Sequence, residues 1–263
     1  MSTVLYHGEP NGSSLTVLAT LFEKGVEAEL KPIDLAAAER NALPFAEQIE
    51  VAMNVEGEGP VLVVDGEPIT DALFIAIYLD EIGSGPALRP EGAYGHWQIN
   101  TFCRVNNERL SPAASLLGTR AYLAPKLAGK DRAETDAAFA KIQQDDLRWR
   151  WEAIRDGDFA EAQLTDSHAK VKQAVERIEK KLGEDGGERE WLFGDFSIAD
   201  IDAYAWLAGM ELLSPAAFVD APKTAAWLQR VKSRPSVARA LALATVDEPL
   251  QAWAPGPEIN RWG

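Results

Sequence analysis

Cysteine occurs once in the 263 residues, as Cys103. A lone thiol closes no internal disulfide, which fits a reducing cytoplasm and a small buried hydrophobe at that position. Histidine is also rare. His7, His96 and His168 fall in three separate segments without ligand-like spacing, so metal catalysis is not expected. No uninterrupted apolar run reaches membrane-spanning length, and the N-terminus lacks the basic-then-apolar order of a secretory signal. Basic residues are outnumbered, 26 Lys and Arg against 41 Asp and Glu, for a net charge of −15. The deficit is concentrated at the front: residues 1–82 hold only Lys24, Lys31 and Arg40 against 15 acidic residues, a net −12. Such a surface repels phosphate backbones and argues against nucleic-acid binding.

What remains is an ordinary globular composition, 46% hydrophobic and 25% charged, enough for a sizeable core in one large or two modest domains. "TVLYH" reads as a short strand bounded by the turn-forming "GEPNG". "SSLTVLATLFEKG" has helical spacing at Leu15, Leu18, Leu21 and Phe22, which predicts a helix N-capped by Ser13 or Ser14 and stopped at Gly25. "EAELKPIDL" is a second strand, parallel to the first if the helix crosses over between them. "LPFAEQIEVAM" is a short helix. "PVLVV" and "EPI" form a hairpin across Asp65-Gly66. "TDALFIAIYLDEIG" is a helix with Leu73, Ile77 and Ile82 among its buried candidates. The order is β-α-β-α-β-β-α over residues 1–82.

Residues 83–92, "GSGPALRPEG", form a Gly/Pro-rich connector. Residues 93–244 read as helical throughout: "YGHWQINTFCRVNNERL", "SPAASLLGTRAYLAPKL", "RAETDAAFAKIQQDDLRWRWEAIRDG", "DSHAKVKQAVERIEKKLGED", "SIADIDAYAWLAGMEL" and "APKTAAWLQRVKSRPSVARALALA". Residues 245–263, with three prolines and two tryptophans, read as an extended arm. In "WLFGDFSIADIDAYAW", Gly194 precedes Ser197 by three and Asp200 follows it by three. That is a capping box, with Phe196 and Ile201 at the staple positions, and its role is structural.

A four-stranded module with a proline at the mouth of its third strand, followed by an all-helical half carrying this glycine-led capping box, resembles a glutathione S-transferase. Within that superfamily the chain is similar to the sphingomonad lignin β-aryl etherases, through "SLTVLATLFEKG", "QQDDLRWRWEAIRDG" and the extended tail. The resemblance implies a thioredoxin-like α/β domain joined to an all-α domain, and glutathione as cosubstrate. The activity it implies is glutathione thiolate attack on the β-carbon of an aromatic β-aryl ether, releasing a phenol. In "DLRWRWEAIR", Trp149 and Trp151 fit either core packing or substrate contact.

The resemblance also assigns site residues. Ser13 and Ser14 stand where the family keeps its thiol-facing residue, although both also suit plain capping. Pro60 matches a proline that follows a cis peptide, with Gly59 as the backbone partner of the cysteinyl part of glutathione; this bond is the sharpest structural test of the reading. Glu58 stands where related enzymes carry glutamine. Asp71 keeps the acidic residue at the γ-glutamyl end, while Ala72 replaces the hydroxyl that grips the γ-glutamyl carboxylate. Losing a hydrogen bond to a charged group costs about 1.5–3 kcal/mol. His7, Trp97 and Asn100, with Asn106 and Asn107 beyond them, fall where the family walls its aromatic pocket. Two readings follow. Either the chain is a β-etherase subunit in a homodimer or heterodimer, or it is an architectural subunit with a degraded glutathione site supporting an intact partner. A glutathione-binding or transport module without chemistry is a third.

Overall fold

The computed structural model describes residues 2–37, 39–42, 59–142, 145–186 and 189–253. Strand β1 (Thr3–His7) alternates toward a buried face at Leu5 and His7. Helix α1 (Gly12–Glu23) then crosses to β2 (Glu29–Pro32), which pairs parallel to β1 with Leu5 opposite Leu30. β3 (Val61–Val64) runs antiparallel on the other side of β1, and β4 (Glu67–Ile69) folds back on β3, giving the order β2-β1-β3-β4. The β3–β4 turn is built on Asp65 at φ 49° and Gly66 at φ 92°. Two consecutive positive-φ residues match the right-handed twist of the flanking strands, which is why Asp-Gly suits this turn. The expected helix over "LPFAEQIEVAM" lies outside the described residues.

α1 is capped one turn earlier than the serine pair suggests. Asn11 is the N-cap, with Oδ1 accepting from Gly12 N at 3.0 Å, and Ser13 and Ser14 lie inside the first turn. The cause is Gly12, which adopts φ +48° and lets the helix begin immediately after Asn11. A Cβ at Gly12 would also lie 3.0 Å from the Trp206 ring, so a side chain is excluded by space as well as by conformation.

Helix α2 (Ala72–Ile82) packs on α1 through Ile75, Ala76 and Leu79. Leu73 and Ile77 are half-buried, and Ile82 is exposed at the last turn, contrary to its place in the apolar pattern. The connector after α2 is pinned by buried charge. Asp80 meets Lys24 Nζ at 3.1 Å and Arg89 Nε at 2.8 Å and accepts from Leu88 N, while Lys24 also donates to the carbonyls of Gly85 and Pro86. Burial pushes the Asp80 pKa up, but the bonds from Arg89, Leu88 and Lys24 outweigh it and leave the carboxyl below its ordinary value.

The helical half begins with α3 (Gly92–Val105), a π turn (Asn106–Leu110), α4 (Ser111–Gly118), a second π turn (Thr119–Leu123) and α5 (Ala124–Ala128). The segment read as a single helix over "RAETDAAFAKIQQDDLRWRWEAIRDG" divides into α6 (Arg132–Phe139) and α7 (Asp145–Asp156). Phe139, Ile142, Leu147 and Trp151 pack in one small core with Leu123, Leu127 and Ile154. Trp151 is therefore a core residue, while Trp149 is exposed.

The long helix α8 (Glu161–Leu182) packs on α4. α9 (Ile198–Leu207) is the central helix, buried along its whole length. Its capping box is present: Ser197 N and Oγ both donate to Asp200 Oδ2, at 3.0 and 2.8 Å. Asp200 Oδ1 accepts in addition from Leu192 N and Trp227 Nε1. α9 stops at Leu207, ahead of Gly209 at φ 86°, and the short α10 (Met210–Leu213) follows. α11 (Pro222–Lys232) and α12 (Pro235–Leu241) each start on proline, which fits the first helical position because no N–H is needed there.

The two halves are joined by α1 against α9 and α12. Glu23 accepts from Arg234 Nε and Nη2 at 3.2 and 2.6 Å and from Ser236 Oγ at 2.5 Å. Beyond α12 the described part of the tail does not stand away from the body. Thr245 N donates to Glu9 at 3.0 Å, a short turn spans Pro249–Gln251, and Trp253 is buried beside Trp206.

Candidate active site

The loop from β1 into α1 is held by its own hydroxyl. Gly8 N donates to Ser14 Oγ at 3.0 Å, and Ser14 is only 2% exposed. Ser14 thus ties the loop together. Ser13, half-buried, faces a different neighbour: its Cβ lies 3.8 Å from where a Cβ on Gly59 would sit. The structure therefore brings Ser13 to the Gly59-Pro60 corner at the positive end of α1, whose first turn contains no acidic residue. A helix N-terminus favours a nearby anion by about 0.3–2 kcal/mol.

The peptide bond ahead of Pro60 is not cis; among the described residues no cis bond occurs. This corrects the expectation drawn from the resemblance, and the test that this bond set for Gly59-Pro60 as the cysteinyl contact is not passed. Arg40, almost fully buried, donates from Nε to the Gly59 carbonyl at 3.2 Å, so that oxygen is held within the chain. Gly59, without a side chain, accommodates the trans form, which an X-Pro bond ordinarily prefers by about 0.5–1 kcal/mol. Glu58 lies outside the described residues.

At the start of α2, Asp71 adopts φ 68°, ψ 116°, a costly conformation for a residue with a Cβ. Its Oδ1 accepts from Leu73 N at 2.9 Å and Phe74 N at 3.2 Å, so it caps its own helix and occupies two of the leading amides. Ala72 brings no hydroxyl. Desolvation of the carboxylate raises the Asp71 pKa against the pull of these two amides, although the residue is exposed at its surface and solvent screens the effect. Across from it, Asp202 on α9 is fully buried. Burial pushes its pKa up to about 7, the Asn106 side chain opposes, and repulsion from Asp71 adds to the rise.

The remaining expected residues are dispersed. His7 is buried at the end of β1 with Nδ1 2.8 Å from the Gly8 carbonyl, a bond that requires the proton on Nδ1. Trp97 is 57% exposed and stacks on Tyr94 at 5.3 Å between ring centroids. Asn100 is half-buried, and its buried Oδ1 has no hydrogen-bond partner among the described residues. Asn106 is fully buried, donates to Asp202 Oδ2 at 3.1 Å and accepts from Arg177, so it belongs to the α3–α8–α9 core. Among the described residues no three His, Cys, Asp or Glu side chains are grouped as metal ligands.

Sequence reasoning missed Asn11, Arg40 and the pair Trp206–Trp253. The Asn11 cap had a local signal in the Asn-Gly step. The tryptophan pair joins α9 to the tail and has no local signal at all.

The glutathione S-transferase N-terminal domain model matches residues 1–81, and the C-terminal domain model matches residues 161–230. The chain belongs to the glutathione S-transferase family. Members of this family use glutathione as cosubstrate. Protein LigF of Sphingobium sp. (strain NBRC 103272 / SYK-6) is 28% identical over 250 residues, covering 90% of this chain and 92% of LigF. The crystal structure of the β-etherase LigF superimposes with a TM-score of 0.80 at 24% identity, covering 92% of this chain and 99% of LigF. Glutathione transferase F7 of Populus trichocarpa shares the fold at TM-score 0.64 and 22% identity, covering 91% of this chain and 99% of its own. So does a Burkholderia graminis glutathione transferase solved with two glutathione molecules per subunit, at TM-score 0.63 and 21% identity, covering 92% and 88%.

At the α1 N-terminus the Cβ of half-buried Ser13 stands beside Gly59. At the start of α2, Asp71 takes the Leu73 and Phe74 amides and Ala72 offers no hydroxyl. Among the described residues no helix is long and apolar enough to cross a membrane.

Proposed function

We propose that this transferase is a β-etherase subunit of the cytoplasm. Glutathione thiolate attacks the β-carbon of an aromatic β-aryl ether, a C–S bond forms, and the C–O bond breaks with its electron pair leaving on the phenolate oxygen. The thiol proton passes to solvent. The observation that carries this reading is the placement of Ser13 against Gly59 at the α1 N-terminus. There a hydroxyl and the helix dipole together favour the thiolate, the nucleophilic form of the thiol. Ser14 holds the loop in shape. The likeness to LigF supports the choice of an aryl ether. The test is release of guaiacol from a guaiacyl β-aryl ether by the purified chain with glutathione. Release by the chain that falls at least tenfold in Ser13→Ala supports the reading; no release removes it, and release unchanged in Ser13→Ala removes only the role given to Ser13.

A second reading is supported by Arg40 on the Gly59 carbonyl and Asp71 on the Leu73 and Phe74 amides. Here the chain is the architectural half of a heterodimer, with the chemistry in a more intact partner. The exposed Phe74 on α2 and the exposed Tyr94–Trp97 stack on α3 offer apolar surface for either a second copy or a related chain. Guaiacol release that appears only on mixing with an intact family member selects this reading; release by the chain alone rejects it.

A further inference from the structure

Two buried N–H donors near the start of α1 have no acceptor among the described residues. One is Nδ2 of Asn11, whose Oδ1 is already committed to capping α1; the other is Nε1 of Trp253, in the tail. Both side chains are more than nine-tenths buried. Both residues border one indole: the Trp206 ring lies 3.0 Å from the Cβ position of Gly12, next to Asn11, and its centroid lies 6.1 Å from that of Trp253. A buried donor without a partner costs about 1–3 kcal/mol, so an orphan in a native fold calls for a bound group to meet it.

The tail is built to keep Trp253 in this place. Thr245 is bonded through its amide and its hydroxyl to Glu9, two residues ahead of Asn11. At the other end, Trp253 lies over Gly118, where a Cβ would come within 2.3 Å of the indole. Only glycine at 118 admits the ring. The loop carrying Asn11 and Ser13 is thereby fastened to the tail carrying Trp253.

Resting on the reading of the site as one for aromatic ethers, we propose that Asn11 and Trp253 are substrate-binding residues that recognise the oxygen of an aryl ether or phenol. The indole faces of Trp206 and Trp253 suit a flat ring, since offset aromatic pairs add about 0.5–1.5 kcal/mol beyond burial. Each N–H group suits an oxygen acceptor carried by such a ring. An aromatic without oxygen leaves both donors unmet, so the pair discriminates rather than merely binds.

The test is an NMR titration of the full chain with anisole, phenol and toluene, following the indole N–H resonance assigned to Trp253 by its loss in Trp253→Phe. Anisole and phenol are expected to move that resonance and to bind about fivefold to tenfold more tightly than toluene, the value of one neutral hydrogen bond. In Trp253→Phe, which keeps the ring and loses the donor, that preference falls toward one. Asn11→Asp, which keeps the capping oxygen and loses the amide donor, weakens it as well. If Trp253→Phe does not fold, the wild-type resonance, assigned instead through its bonded backbone spins, and Asn11→Asp decide. A Trp253 resonance that stays still at saturating anisole, or a preference retained in the variants, overturns the proposal. If the resonance moves as described while no β-aryl ether is cleaved, the etherase reading falls and this subsite stands. If cleavage occurs and the resonance is still, the reverse holds.

Discussion

Arg40 donates from Nε to the carbonyl of Gly59 at 3.2 Å, so the backbone oxygen ahead of Pro60 already has its partner inside the chain. The contact crosses from the segment after β2 to the mouth of β3, and it accompanies the trans bond at that corner. Arg40→Met is expected to lower stability by about 1–3 kcal/mol, the cost of leaving a polar group unmet. Urea unfolding should show this as a lower midpoint at an unchanged slope. An unmoved midpoint would show that the contact holds nothing.

Ser13 and Ser14 should separate cleanly. Ser14→Ala orphans the Gly8 amide in a buried loop and is expected to cost about 1–3 kcal/mol of stability. Ser13→Ala is expected to leave the unfolding midpoint nearly in place and to raise the apparent pKa of bound glutathione in a thiolate absorbance titration. The opposite pattern would exchange the two roles.

Ala72→Ser restores a hydroxyl at the first position of α2. One hydrogen bond to a charged group is worth about 1.5–3 kcal/mol, so glutathione affinity is expected to rise on the order of tenfold to a hundredfold. Calorimetric titration measures it. No gain would mean that Asp71, by holding the Leu73 and Phe74 amides, closes this end of the site to the ligand.

The buried carboxyl of Asp202 sets a pH dependence. With its pKa at about 7 in the folded chain and near 3.9 when unfolded, the folded state keeps a proton that the unfolded state has lost across that window. Stability from this group therefore falls as pH rises from about 4 to about 7 and is level above, a change on the order of a few kcal/mol. Asp202→Asn should flatten the upper part of the slope. Asp200, pushed to about 6 by burial against four donated hydrogen bonds, keeps the lower part. Equal slopes in variant and wild type between pH 6 and 7 would refute the assignment.

The features legible in the sequence are those whose causes are local. β1 spans the residues of "TVLYH", the Asp65-Gly66 turn has the two positive φ angles its residue types favour, and Ser197 and Asp200 close their box within one helical turn. The misreadings arise where distant residues decide. Gly12 brings the cap forward to Asn11 against the Trp206 ring, which lies far along the chain. The α6–α7 break carries no glycine or proline to mark it in the sequence. The trans bond at Pro60 is accompanied by an arginine 19 positions away from Gly59. At the site, residue types at Ser13, Asp71 and Ala72 were readable, but which hydroxyl is free and which amides are taken depended on hydrogen bonds that no pattern encodes.

Glu9 and Thr245, bonded across 236 positions, impose an order on synthesis. The first module can assemble its strands while the rest of the chain is still being made, because its sheet closes within residues 3–69. The loop from β1 into α1, by contrast, gains its Glu9 latch only once Thr245 has been made. A nascent chain stalled after α12 would carry Ser13, Ser14, Asp71 and Asp202 and still have that loop unlatched.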